Sequence, residues 1–71
     1  MIDTVRLVET IRARGLRLDF IAEKLNISRQ TLSDKINGKK QFKLCEIQML
    51  VKVLNLTPDE IDAIFFIYNV Q

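Results

Sequence analysis

Between residues 12 and 43 the chain carries nine bases, Arg12, Arg14, Arg17, Lys24, Arg29, Lys35, Lys39, Lys40 and Lys43, against Asp19, Glu23 and Asp34, a local net charge of +6. On either side the balance reverses. Residues 1–11 set Arg6 against Asp3 and Glu9 (net −1), and residues 44–71 set Lys52 against Glu46, Asp59, Glu60 and Asp62 (net −3). The overall charge of +2 conceals this division. A positive centre between neutral and acidic ends suits a face that meets a polyanion. Solvated surfaces also carry basic clusters, so charge alone leaves both readings open. Bond-making chemistry has much less to work with. There is no histidine, Cys45 is the lone cysteine, and no glycine-rich phosphate loop or spaced set of zinc ligands is present. Nine acids are what solvated helix faces ordinarily carry, and 71 residues enclose a catalytic pocket with difficulty. The expectation is a protein that is not an enzyme and holds no cofactor and no metal.

These residues need a scaffold, and length sets its limits. Seventy-one residues make one domain, 1–71, with one core. A hydrophobic content of 48% is enough for that core without staples. Cys45 has no partner in the chain for a disulfide. A lone thiol without a signal segment suits the reducing cytoplasm. The apolar runs fall well short of the ~20 residues of a spanning helix, so no membrane is expected as a partner.

Five helices can be read along the chain. Thr4 can cap a first run in which Leu7, Val8 and Ile11 recur at helical spacing, and Gly15 is placed to stop it. A second, from about Leu18 to Leu25, sets Ile21, Ala22 and Leu25 opposite Asp19, Glu23 and Lys24. It is barely two turns long and must be held by packing. Asn26-Ile27-Ser28 reads as a tight corner. Asn tolerates the left-handed turn, Ile27 can point inward, and Ser28 can cap the next helix. That third helix runs from Arg29 to Ile36, with Leu32 and Ile36 expected to be buried and Asn37-Gly38 ending it. A basic connection, Lys39 to Lys43, leads to a fourth helix with Leu44, Ile47, Leu50, Val51 and Leu54 on its apolar side. Thr57-Pro58-Asp59-Glu60 is a capping box with proline at the first helical position, opening a fifth helix through Ile61, Ile64 and Phe65. No repeat and no strand-like alternation is apparent.

The stretch from Phe20 to Lys40, FIAEKLNISRQTLSDKINGKK, resembles the helix-turn-helix of the phage Cro and repressor family, the XRE-like regulators. Ala22 is small where two helices cross closely, and Ile21, Leu25, Ile27 and Leu32 form the small core that fixes the corner. Asn26 stands where relatives usually have glycine, and the Asn-Gly-Lys-Lys after the third helix is typical. The resemblance covers about residues 16–66. It implies an all-α, five-helix, lambda-repressor-like DNA-binding domain with the helix-turn-helix at about 18–37 and the reading helix at about 28–37. In such domains the N-terminal residues of the third helix touch base edges in the major groove. Carried over, that role falls to Ser28, Arg29, Gln30, Ser33 and Asp34. Arg29 can grip a guanine and Gln30 an adenine, each through two hydrogen bonds. Thr31 and Lys35 fall where side chains reach phosphate or sugar, Lys39, Lys40 and Lys43 form the phosphate-contacting loop, and Arg17 adds positive charge nearby.

Two positions depart from the family. Leu18 occupies the first position of the second helix, where a phosphate-binding glutamine is usual, and Asp34 puts a negative charge on the reading face. Asp34 can accept from a cytosine amino group or bridge to neighbouring bases. The apolar tail, residues 64–71, is a further feature, and the short regulators of Gram-positive phages end in a similar Phe-Phe tail. Phe65, Phe66, Ile67, Tyr68 and Val70 can close this domain's own core or form a partner or dimer interface. Three functions follow. The first is a Cro-like transcriptional regulator of a phage or mobile-element genetic switch, binding operator DNA as a homodimer. The second is an antirepressor that forms a heterocomplex with a phage repressor. The third is the antitoxin of a toxin–antitoxin pair.

Overall fold

The computed structural model describes residues 2–65, which form five helices: α1 (Thr4–Ala13), α2 (Leu18–Leu25), α3 (Arg29–Ile36), α4 (Leu44–Leu54) and α5 (Pro58–Phe65). There is no strand among the described residues, and no helix there is long and apolar enough to cross a membrane. The domain is all-α, as the periodicity predicts.

Short helices need their ends closed, and the chain closes them locally. Gly15, Asn26, Gly38 and Asn55 all take positive φ, at 70°, 60°, 81° and 51°. At each, two backbone N–H groups turn back onto the last carbonyls of the helix. At the end of α2, Asn26 N–H donates to Glu23 O and Ile27 N–H to Ala22 O, both at 3.0 Å. This is the Schellman arrangement, and it aims the next apolar residue at the core. Leu16, Ile27 and Leu56 follow three of these turns, and all three pack against the core. Asparagine tolerates the left-handed region better than other residues with a Cβ.

The N-termini of α1, α3 and α5 are closed by side chains, whereas α2 starts after Arg17 without a side-chain cap. Ser28 caps α3, its Oγ accepting from Thr31 N–H at 3.0 Å. Thr57 and Glu60 form the expected reciprocal box, with Thr57 N–H donating to Glu60 Oε1 at 2.9 Å and Glu60 N–H to Thr57 Oγ1 at 3.2 Å. Asp3, and not Thr4, caps α1. Its Oδ1 accepts from Arg6 N–H at 3.0 Å, and Thr4 is already the first helical residue. A carboxylate at this position adds a favourable charge at the positive helix end.

One core unites the helices: Leu7 and Ile11 of α1, Ile21, Ala22 and Leu25 of α2, Leu32 of α3, Leu50 and Leu54 of α4, Leu56, and Ile64 and Phe65 of α5. α2 lies against both α3 and α4, and α1 lies against α5. Ile36, expected inside, is half-buried at the last turn of α3. Leu32 is fully buried, so truncating it to alanine removes about 2–5 kcal/mol. The ends of the chain order are sewn together by polar contacts. Asp3 N–H donates to Ile64 O at 2.7 Å. Arg14 reaches across from the end of α1, donating from Nε to Leu54 O at 3.1 Å and from one terminal nitrogen to Glu60 Oε1 and Oε2 at 2.8 and 3.0 Å. The Thr57 N–H and the Arg14 guanidinium together hold the Glu60 carboxyl below its ordinary pKa.

Candidate nucleic-acid interface

The corner between α2 and α3 decides which side chains face outward. Ile21, Ala22 and Leu25 turn inward from α2, Leu32 turns inward from α3, and Ile27 packs half-buried between them. With that seam closed, the first turn of α3 presents its other side to solvent. Arg29 and Gln30 are exposed there. Ser33 and Asp34, one turn on, are half-buried on the same helix. Leu18, Arg29, Gln30 and Ser33 border a shallow recess of about 340 Å³. Leu18 therefore contributes an apolar wall beside Arg29 and Gln30, where a polar side chain would offer a hydrogen bond.

The outward groups are held by carboxylates. Arg29 Nε lies 3.1 Å from Asp19 Oδ1, an exposed pair that joins α3 to α2. Gln30 Nε2 donates to Asp34 Oδ1 at 3.0 Å, one helical turn along. Lys40 Nζ approaches the other Asp34 oxygen at 3.9 Å. Asp34 thus bridges α3 to the basic loop, one of the two roles its position allows. Ser28 uses its oxygen as the cap of α3 and donates to Thr31 Oγ1 at 2.8 Å, so both hydroxyls at this helix start are engaged locally. Asn37 Nδ2 donates to Ser33 Oγ at 3.3 Å.

Arg17, Lys39, Lys40 and Lys43 are all exposed, and Thr31 is half-buried. Lys35 corrects the expectation. It was expected to reach phosphate, but only 6% of its side chain is exposed, and its Nζ donates to Glu46 Oε1 of α4. The reason is helical spacing. Leu32, Lys35 and Ile36 stand at i, i+3 and i+4, so Lys35 lies on the stripe that α3 turns inward. Glu46, not singled out from the sequence, holds this ammonium and also accepts from Lys43 N–H at 2.8 Å, capping the start of α4. The spacing from Lys43 to Glu46, N-cap to third helical residue, is the local signal that could have found it. Burial opposes the charge on Glu46, but the hydrogen bonds from Lys35 and Lys43 outweigh it and hold the carboxyl below its ordinary pKa.

Phe65 is the second correction. It is 4% exposed and belongs to the core, so it offers no free surface to a partner. Phe66, Ile67, Tyr68 and Val70 lie outside the described residues.

The geometry can therefore do one thing well. It presents a bidentate donor and an amide side by side at a helix start, with three lysines in the loop that follows the same helix. No curated protein and no solved structure matches the chain. A family model described as "Protein of unknown function (DUF739)" matches residues 5–68, from the first turn of α1 to beyond α5, and the chain belongs to that family.

Proposed function

We propose that this protein is a sequence-specific DNA-binding transcriptional regulator of the Cro type, acting in the bacterial cytoplasm on operator DNA. The observation that carries the reading is the exposure of Arg29 and Gln30 at the start of α3, beyond a corner closed by Ala22, Asn26 and Ile27. Such a helix enters the major groove by its N-terminal end, with Arg29 donating to guanine N7 and O6 and Gln30 pairing with adenine. Lys39, Lys40 and Lys43 then meet phosphates, giving affinity that is independent of sequence and sensitive to salt. Two copies on a palindromic site would place two reading helices about one turn of duplex apart.

A second reading has its own observation in support. Asp19 and Asp34 already engage Arg29, Gln30 and Lys40, and a face whose donors are occupied suits an antirepressor acting through contact with a repressor protein. One titration separates the two. In a gel-shift with the protein's own promoter region, an operator binder retards the DNA specifically and Arg29→Ala abolishes the shift. Absence of retardation by the protein alone, with a change in the shift produced by the repressor encoded beside it, would overturn DNA reading in favour of the second.

A further inference from the structure

Resting on the DNA-reading proposal, we infer that the recess beside Leu18 is a subsite for the 5-methyl group of a pyrimidine in the major groove. Leu18, Arg29, Gln30 and Ser33 line this shallow recess of about 340 Å³. Three of these side chains are polar, and Leu18 is the apolar one. It opens α2 and is held in place by packing against the core, yet it is only half-buried, so part of its surface stays outward. Arg29 and Gln30, the side chains proposed to meet bases, border the same recess. A base step engaged by either of them therefore brings its groove edge up to Leu18.

Leucine offers neither a donor nor an acceptor. A phosphate oxygen or a polar base group pressed against it would shed water and gain no hydrogen bond in return. The major groove carries one apolar group of any size, the C5-methyl of thymine. Covering that methyl with Leu18 removes apolar surface from water on both sides and breaks no hydrogen bond. Cytosine lacks the methyl and presents an amino donor to the groove, so the subsite disfavours it. A methylated cytosine would bring the same methyl beside a different hydrogen-bonding edge. The chemistry recognised is the 5-methyl group, and thymine and 5-methylcytosine are its two sources.

The experiment uses the intact purified chain, and the decisive change is made in the DNA. Selection from a random pool of duplexes identifies the preferred site. Each thymine of that site is then replaced singly by uracil, which deletes the methyl and keeps every hydrogen-bonding group. One replacement is expected to weaken binding about fourfold at fixed salt, the value of one buried methyl group. In Leu18→Ala the thymine-to-uracil ratio at that position should fall to near one. Leu18→Gln, polar and of similar length, should do the same, and it serves if Leu18→Ala does not fold. Each ratio compares two duplexes titrated with one protein sample, so a general change in affinity cancels. At the same position 5-methylcytosine should bind more tightly than cytosine, and the tighter of thymine and 5-methylcytosine identifies the natural occupant. A site with no uracil-sensitive thymine, or a sensitivity that persists in the Leu18 variants, overturns the inference and leaves DNA reading standing. A wild-type chain that enriches no sequence from the pool overturns both.

Discussion

Lys35 of α3 donates to Glu46 of α4, and both side chains are almost wholly buried, at 6% and 5% exposure. An ion pair this deep is a lock between α3 and the helix behind it. Each charge is tolerable only because the other is present, and Glu46 is further tied to the backbone at the start of α4. The orientation of α3 therefore depends on a polar contact as well as on Leu32.

Removing one partner should cost more than removing both. Glu46→Leu alone leaves a buried ammonium and is expected to lose about 3–5 kcal/mol in urea unfolding, as Lys35→Met alone leaves a buried carboxylate. The double variant should recover most of that loss, retaining about 1 kcal/mol for the Lys43 N–H that no longer has its acceptor. Equal losses in single and double variants would show that the two side chains do not act as a pair.

Acid should loosen the same contact. Glu46 has a folded pKa below its ordinary value of 4.5, so its contribution to stability is complete above that value and is lost as pH falls through the lowered one. Glu60, lowered by Thr57 and Arg14, acts in the same direction. The urea midpoint is expected to stay level from neutral pH to about pH 5 and to fall below it. In Glu46→Gln the fall should be shallower, which repeated urea titrations from pH 3 to pH 7 will measure.

The exposed lysines and the buried one should behave differently toward DNA. Lys39→Ala, Lys40→Ala and Lys43→Ala are each expected to weaken binding to all duplexes alike and to reduce the slope of log K against log salt by about 0.9. The measurement is fluorescence anisotropy at several salt concentrations. The double variant Lys35→Met, Glu46→Leu should keep the wild-type slope, because the ammonium it removes faces Glu46 and not solvent. A slope that falls with the buried lysine and not with the loop lysines would show that another surface meets the DNA.

Much of this domain was legible residue by residue. Gly15, Asn26 and Gly38 announce where helices stop, Ser28 and the Thr57-Pro58 pair announce where they start, and the structure places caps at all of them. These signals are local, because a cap is made by groups two to five residues apart and needs nothing from elsewhere in the chain. Asn55 carries the same signal as Asn26 and ends α4 in the same way. The exposure of Arg29 and Gln30 follows from the apolar positions of α2 and α3, which the 3.6-residue period makes visible.

Three things had to wait for the tertiary structure. Lys35 is a good solvent-facing residue by type, and only the packing of α3 against the rest of the chain, with Glu46 waiting on α4, turns it inward. Phe65 could have faced a partner as readily as the core until α5 settled against α1. Asp19 meets Arg29 only because the corner at Asn26 folds α2 back beside α3. In each case the partner lies on another helix, ten or more residues away. Which side of a helix faces its neighbour, and by how many degrees, is set by the collective packing of all five apolar faces. No short stretch of sequence contains that sum.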